Sequence, residues 1–147
     1  MKVAVYPGSF LPFHRGHYNI LLKAEMIFDK VIIARGLNPE KKEITNEWAM
    51  HPCKTVQDRE ILHYPNLLTD FVKALQEKYD NVTVIRGLRN SVDLQHEMNQ
   101  YRFFQDLMPD IQMVSIFCDK EYEHISSSAI RMLQKYGDDK IKNYLLE

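Results

Sequence analysis

The sequence predicts an α/β fold: a parallel sheet with helices on both faces. Two observations carry this. Four short apolar runs, "KVAVY" (2–6), "KVIIAR" (30–35), "VTVIR" (82–86) and "QMVSIF" (112–117), have the length and β-branched content of buried strands. Between them the apolar residues recur at helical spacing, so strand and helix alternate along the chain.

The first strand ends at Pro7-Gly8. Ile20, Leu21, Ala24, Ile27 and Phe28 then form the apolar stripe of a helix from about His17 to Phe28. The second strand is closed by the polar "GLNPEKKE". Residues 36–53 read as a polar loop, and 54–65, where the pattern is mixed, as a short helix. Leu67, Leu68, Phe71, Val72, Leu75 and Tyr79 again have helical spacing. The third strand runs directly into "GLRN". Leu94, Met98, Tyr101, Phe104 and Met108 follow as a helix ending near Pro109. After the fourth strand, "ISSSAIRMLQKY" opens a helix with a serine N-cap, and a last helix precedes Glu147.

The 147 residues suit one domain spanning 1–147. With 45% hydrophobic and 27% charged residues, a largely disordered chain is excluded. The 19 basic and 20 acidic residues leave a net charge of −1, which argues against a nucleic-acid partner. No run of about 18 apolar residues suggests a membrane span. "MKVAVYPGSF" is too short and too rich in glycine and proline for a signal peptide. Cys53 and Cys118 are far apart and form no C-x-x-C pair, as expected of a reduced, cytoplasmic protein. "HPC" (51–53) resembles half a metal site, but the sequence offers no other half, so no metal-ligating residue is expected.

Ligands of such folds bind beyond the carboxyl ends of the strands, here after Tyr6, Arg35, Arg86 and Phe117. After the first strand, Gly8 and Gly16 allow close backbone approach, while His14 and His17 sit at a helix start, where unpaired N–H groups attract phosphate. One histidine alone would read as a cap; the pair in H-x-G-H reads as phosphate chemistry. Lys41 and Lys42 follow the second strand and are either solvated or anion-binding. Arg86 and Arg89 in "RGLRN" can grip phosphate bidentately or pair with Asp93 or Glu97 on the next helix. Ser126, Ser127 and Ser128 open a helix whose N-terminus can again meet phosphate, with Arg131 one turn on. The P-loop, the G-x-G-x-x-G dinucleotide fingerprint and the G-x-S-x-G elbow are absent.

"GSFLPFHRGH" resembles the H-x-G-H signature of the nucleotidyltransferase superfamily, and "ISSSAIR" its second, serine-rich signature. "YPGSF", "NPEKK", "RGLRNSVDLQHEMNQ" and "LMPDIQMVSIFCDKEYEHISSS" are similar to the bacterial phosphopantetheine adenylyltransferase family. The resemblance covers nearly the whole chain except about residues 43–66. It implies a Rossmann-like doubly wound parallel sheet of nucleotidyltransferase type. It further implies ATP and 4′-phosphopantetheine as substrates, dephospho-coenzyme A and pyrophosphate as products, Mg²⁺ on the triphosphate, and a homo-oligomer, commonly a hexamer. On this resemblance His17 stabilises the α-phosphate in the transition state, with His14, Lys41 and Arg89 beside it. Ser9 and Phe10 contact phosphates, and Lys41 and Arg86 hold the acceptor phosphate. Gly87, Leu88, Arg89 and Glu97 line the ATP site. Tyr122 to Ser128, including Ile125, form the adenine-side loop, and Leu68 flanks the pantetheine arm.

The chain departs from that family in places. His14 stands where it usually has threonine, and Leu11 where it has aspartate. A histidine at 14 is typical of nicotinate or nicotinamide mononucleotide adenylyltransferases and of cytidylyltransferases. His96 and Phe104 also differ, so that with Leu68 they mark an altered acceptor pocket. The acceptor thus stays open between 4′-phosphopantetheine and another phosphorylated compound. A nucleotide or coenzyme A sensor without turnover is the reading from a different functional class.

Overall fold

The computed structural model describes residues 1–37, 54–65 and 67–146. The apolar runs pair as parallel neighbours in the order β3-β2-β1-β4-β5. The strands are β1 (Val3–Gly8), β2 (Lys30–Gly36), β3 (Ile61–Tyr64), β4 (Val82–Leu88) and β5 (Gln112–Phe117). The helices are α1 (Arg15–Glu25), α2 (Leu68–Gln76), α3 (Ser91–Leu107) and α4 (Ser127–Gln134).

Successive strand side chains point to opposite faces, so the sheet supports two cores. Ala4, Tyr6, Ile33 and Ile85 pack with Ile20, Leu21 and Ala24 of α1. Val3, Val5, Ile32, Ala34 and Val84 pack on the other face with Leu68, Val72 and Leu75 of α2. Both faces are therefore covered, as the apolar runs of the strands require. Each buried Val, Leu or Ile contributes roughly 1.5–3 kcal/mol relative to exposure. This is the doubly wound, Rossmann-like arrangement expected. Tyr101 and Phe104 of α3 add to the second core, although no residue of that helix is fully buried.

Residues 54–65 do not form the expected helix. A single 3₁₀ turn at Lys54–Val56 is followed by the edge strand β3. The expected last helix is also absent: α4 stops at Gln134, Gly137 takes a φ of 132°, and two 3₁₀ turns follow at Asp138–Lys140 and Lys142–Tyr144. That φ is one which glycine adopts without a Cβ penalty, and it breaks the helical path. Helix α1 starts at Arg15 rather than His17, because His14 serves as its N-cap.

Candidate active site

β1 and β4 pair only through Val3–Val82, Ala4–Thr83 and Val5–Val84. β1 continues beside β2 to Gly8–Arg35, and β4 beside β5 to Leu88–Phe117. Beyond Val5 and Val84 the two central strands part. A cleft of about 290 Å³ opens between them, lined by Tyr6 to Phe10 on one side and Arg86 to Arg89 on the other. It lies where the strand order reverses, the usual ligand position of an open α/β sheet.

The two histidines are built into the start of α1. His14 Nδ1 accepts the backbone N–H groups of Gly16 (3.0 Å) and His17 (3.4 Å), and His17 Nδ1 accepts that of His14 (3.1 Å). This is a reciprocal capping box made from imidazoles rather than from serine and glutamate. Gly16 makes room for it, since a Cβ there would stand 2.9 Å from His14 Cε1. With each Nδ1 accepting, the proton of each neutral ring sits on Nε2. Among the described residues no protein group bonds either Nε2, and both rings line the cleft. The rings stack at 3.7 Å and 22°, and Phe10, Phe13 and Tyr6 wall His17 at 4.9, 5.2 and 6.3 Å. Burial, then the charge of Arg89, lowers the His14 pKa to about 4. Burial, then His14, Arg89 and Arg86, holds His17 well below the ordinary value. At neutral pH the site therefore presents two neutral N–H donors.

Both arginines of "RGLR" are paired. Arg86 meets Glu97 bidentately, Nε–Oε2 at 2.7 Å and Nη2–Oε1 at 2.9 Å, and its Nη1 reaches across the cleft to the Pro7 carbonyl at 3.4 Å. Arg89 meets Asp93 through its backbone N–H (3.0 Å), Nε (2.9 Å) and Nη2 (3.0 Å), and its Nη1 donates to the Ile125 carbonyl (3.2 Å). Two guanidinium groups thus face the cleft, each already oriented by a carboxylate of α3.

The third wall comes from the segment after β5. Tyr122, Ile125, Ser126 and Ser127 line the cleft, as does Cys118. Ser126 caps α4 by accepting the Ala129 N–H at 3.1 Å, and Ser127 Oγ donates to the Pro12 carbonyl at 2.9 Å. Ser128 lies outside the lining, its Oγ 3.3 Å from that of Ser126.

The cleft thus gathers Ser9, Phe10, His14, His17, Arg86, Gly87, Leu88, Arg89, Glu97, Tyr122, Ile125, Ser126 and Ser127. Leu68 is elsewhere: it is 6% exposed in the core beneath α2. Phe104 packs against that same core and His96 is exposed, so the three expected acceptor-side residues do not assemble in this cleft. Lys41, Lys42 and Cys53 lie outside the described residues. Sequence reasoning passed over Cys118 and Ile20 as cleft residues. The signal available for Cys118 was its place immediately after a strand end.

The donor set does not suit a magnesium ion held by side chains. Among the described residues Asp93 and Glu97 are the carboxylates lining the cleft, and each is taken up by an arginine. Among the described residues no three His, Cys, Asp or Glu side chains converge as a metal site.

Comparison with known proteins gives the chain's relatives and the neighbours of its fold. The cytidylyltransferase-like family matches residues 5–59. The phosphopantetheine adenylyltransferase of Clostridium botulinum (strain Alaska E43 / Type E3) is 34% identical over 142 residues, covering 93% of this chain and 87% of its own. A Vibrio parahaemolyticus protein assigned provisionally as a nicotinate-nucleotide adenylyltransferase shares the fold, with a TM-score of 0.66, 16% identity, and 99% and 94% of the two chains covered. The nicotinic acid mononucleotide adenylyltransferase of Plasmodium falciparum does likewise, at 0.63, 19%, 98% and 90%. At 34% identity over most of both chains to the Clostridium botulinum enzyme, the chain belongs to the phosphopantetheine adenylyltransferase family.

Proposed function

We propose that the chain transfers the adenylyl group of ATP to 4′-phosphopantetheine, giving dephospho-coenzyme A and pyrophosphate. The observation that carries this is the imidazole capping box, which aims two Nε2–H donors into the cleft beside Arg86 and Arg89. A phosphate oxygen of the acceptor forms the new bond to the α-phosphorus. The bond from that phosphorus to the oxygen bridging to the β-phosphorus breaks, and pyrophosphate leaves with that electron pair. No covalent enzyme intermediate is needed. The protein's tasks are alignment and stabilisation of charge on the transferring group. His17 and His14 donate to its oxygens, and Arg86 orients the acceptor phosphate from the opposite wall. Lys41 joins them on the strength of the resemblance.

Magnesium accompanies the nucleotide as its counter-ion rather than as a resident of the protein. The remaining expectations belong to the same reading: a cytoplasmic homo-oligomer, with a hexamer the size that the family resemblance implies. Support for self-association comes from Val92 and Phe103 on α3 and Phe117 on β5, each more than 70% exposed. No helix among the described residues is long and apolar enough to cross a membrane.

The mononucleotide reading rests on His14 and on the departure over residues 43–66, of which 43–53 and 66 lie outside the described residues. The capping bonds of His14 give it a local task that any acceptor would leave unchanged, so it marks the acceptor weakly. Pyrophosphate release with ATP, Mg²⁺ and 4′-phosphopantetheine, beside wells holding nicotinate or nicotinamide mononucleotide, tests the proposal. Turnover with 4′-phosphopantetheine supports it. Turnover only with a mononucleotide overturns the acceptor, and nucleotide binding without turnover favours a sensor.

A further inference from the structure

Asp119 stands two residues beyond β5, and α1 reaches it with two side chains. Asn19 and Lys23 are four residues apart and so share one face of that helix. Asn19 Nδ2 donates to Asp119 Oδ2 at 2.9 Å, and Asn19 Oδ1 accepts the Asp119 backbone N–H at 2.9 Å. Lys23 Nζ lies 2.7 Å from Asp119 Oδ1 and donates to the Phe117 carbonyl at 2.7 Å. Residues 117–119 are thus fastened to α1 by side chains that do not line the cleft.

The segment beyond Asp119 does line it. The Tyr122 N–H donates to the Asp119 carbonyl at 3.0 Å, and the Ile125 N–H to the Tyr122 carbonyl at 3.1 Å. These turns carry Tyr122 and Ile125 along the cleft, where they form a mainly apolar wall with Cys118. Arg89 holds the far end through the Ile125 carbonyl. The near end is held through Asp119, whose two partners sit two and six residues beyond His17 on the same helix. β1 and β5 are two strand positions apart, about 10 Å where β1 and β4 pair and wider towards their carboxyl ends, where those strands part. A ribose bridges such a gap between a phosphate held by His17 and a base against the wall.

We propose that Asp119 is a positioning residue for the nucleotide base: through Asn19 and Lys23 it sets the distance between the 118–125 wall and the His17 donor, and so governs which base fits. The inference rests on the reading of the cleft as a nucleotide site. Because Asp119 and Lys23 are 52% and 33% exposed, the pair contributes little to global stability, which separates positioning from folding.

The experiment is titration calorimetry with ATP and with GTP on wild type, Asp119→Ala and Asp119→Asn, with thermal melts and acceptor KM alongside. Asp119→Ala is expected to weaken ATP binding about fivefold and narrow the preference for ATP over GTP. Asp119→Asn, which keeps an oxygen for Asn19, is expected to recover most of that loss. Tm should move by less than about 3 °C, and acceptor KM should stay unchanged. A wild type that binds neither nucleotide overturns the reading of the cleft and this inference with it. A wild type that prefers ATP, with Asp119→Ala keeping the same affinity and preference, overturns the inference alone. So does a parallel loss of ATP affinity, acceptor affinity and Tm.

Discussion

The Nδ1 of His17 lies 3.1 Å from the backbone nitrogen of His14 and accepts its hydrogen. That bond ties the helix start to the direction of a donor, because it leaves the proton of the neutral ring on Nε2. Two substitutions separate the tasks. His17→Asn can keep the acceptor near the Nδ1 position but loses the far donor. Its kcat should fall about 100-fold with nucleotide affinity nearly kept, as for loss of one transition-state donor. His17→Gln places an amide N–H near the Nε2 position and should retain more turnover than His17→Asn. Steady-state kinetics and ATP binding on both variants check this, and equal activity of the two would refute the donor assignment.

His14 is 4% exposed, and its cap satisfies two backbone N–H groups. His14→Ala should cost about 1 kcal/mol, or roughly 2–4 °C in Tm for a chain of this size. His14→Ser should restore most of the stability, because serine is a good N-cap. Thermal melts of the two variants decide it.

The same pair makes stability depend on pH. Both folded-state values lie below the ordinary histidine value of 6.5, His14 at about 4. The unfolded chain therefore binds more protons in that window. The stabilisation is complete above about pH 6.5 and is lost progressively as pH falls towards 4. Urea midpoints between pH 7.5 and 4.5 should decline for wild type and decline less steeply for His14→Ser. Parallel curves for the two proteins would show that His14 is not responsible.

Arg86 and Glu97 are 22% and 12% exposed and bonded bidentately. A lysine cannot reproduce two parallel N–H bonds. Arg86→Lys should therefore raise the KM for 4′-phosphopantetheine about tenfold or more while leaving ATP binding less affected. Glu97→Gln should cost about 1–3 kcal/mol in a denaturant titration, because the Arg86 charge is left without its partner.

Gly87 fits only because it has no side chain: a Cβ would stand 2.8 Å from Ile20 Cγ1. Gly87→Ala should push α1 away from β4 at a cost of about 1–3 kcal/mol. Adding Ile20→Ala should relieve part of that clash. A Gly87→Ala protein as stable as wild type would mean that the helix yields freely.

The central strands were legible because burial on both faces demands continuous apolar runs, which "KVIIAR" and "VTVIR" display. β3 was not, because Ile61–Tyr64 is a four-residue edge strand in which His63 is exposed and the other three are only half-buried. So short and mixed a run carries no periodicity to read. In the site, the ends of β1 and β4 pointed to the histidines and arginines through topology alone. The pairing of Arg86 with Glu97 and of Arg89 with Asp93 was one of two readings, since spacing places the partners within reach without choosing between carboxylate and ligand. Leu68 was named from the resemblance, and spacing alone says only where it packs. Its helical spacing marks the apolar stripe of α2, and the structure turns that stripe into the core.

The seam between β1 and β4 is three residue pairs long, whereas its neighbours β1–β2 and β4–β5 run for six. Beyond it, β1 and β4 themselves are joined, among the described residues, by the hydrogen bond of Arg86 with the Pro7 carbonyl, while Asn19–Asp119, Lys23–Phe117 and Ser127–Pro12 tie the flanking segments together. The strands thus form two leaves whose backbones share one short margin, and a bound nucleotide would act as the missing rungs between β1 and β4. Amide hydrogen exchange at residues 8–9 and 87–89 should slow when ATP is added, while exchange at Val3–Val5 and Val82–Val84 stays slow throughout. The ligand would then complete the fold as well as occupy it.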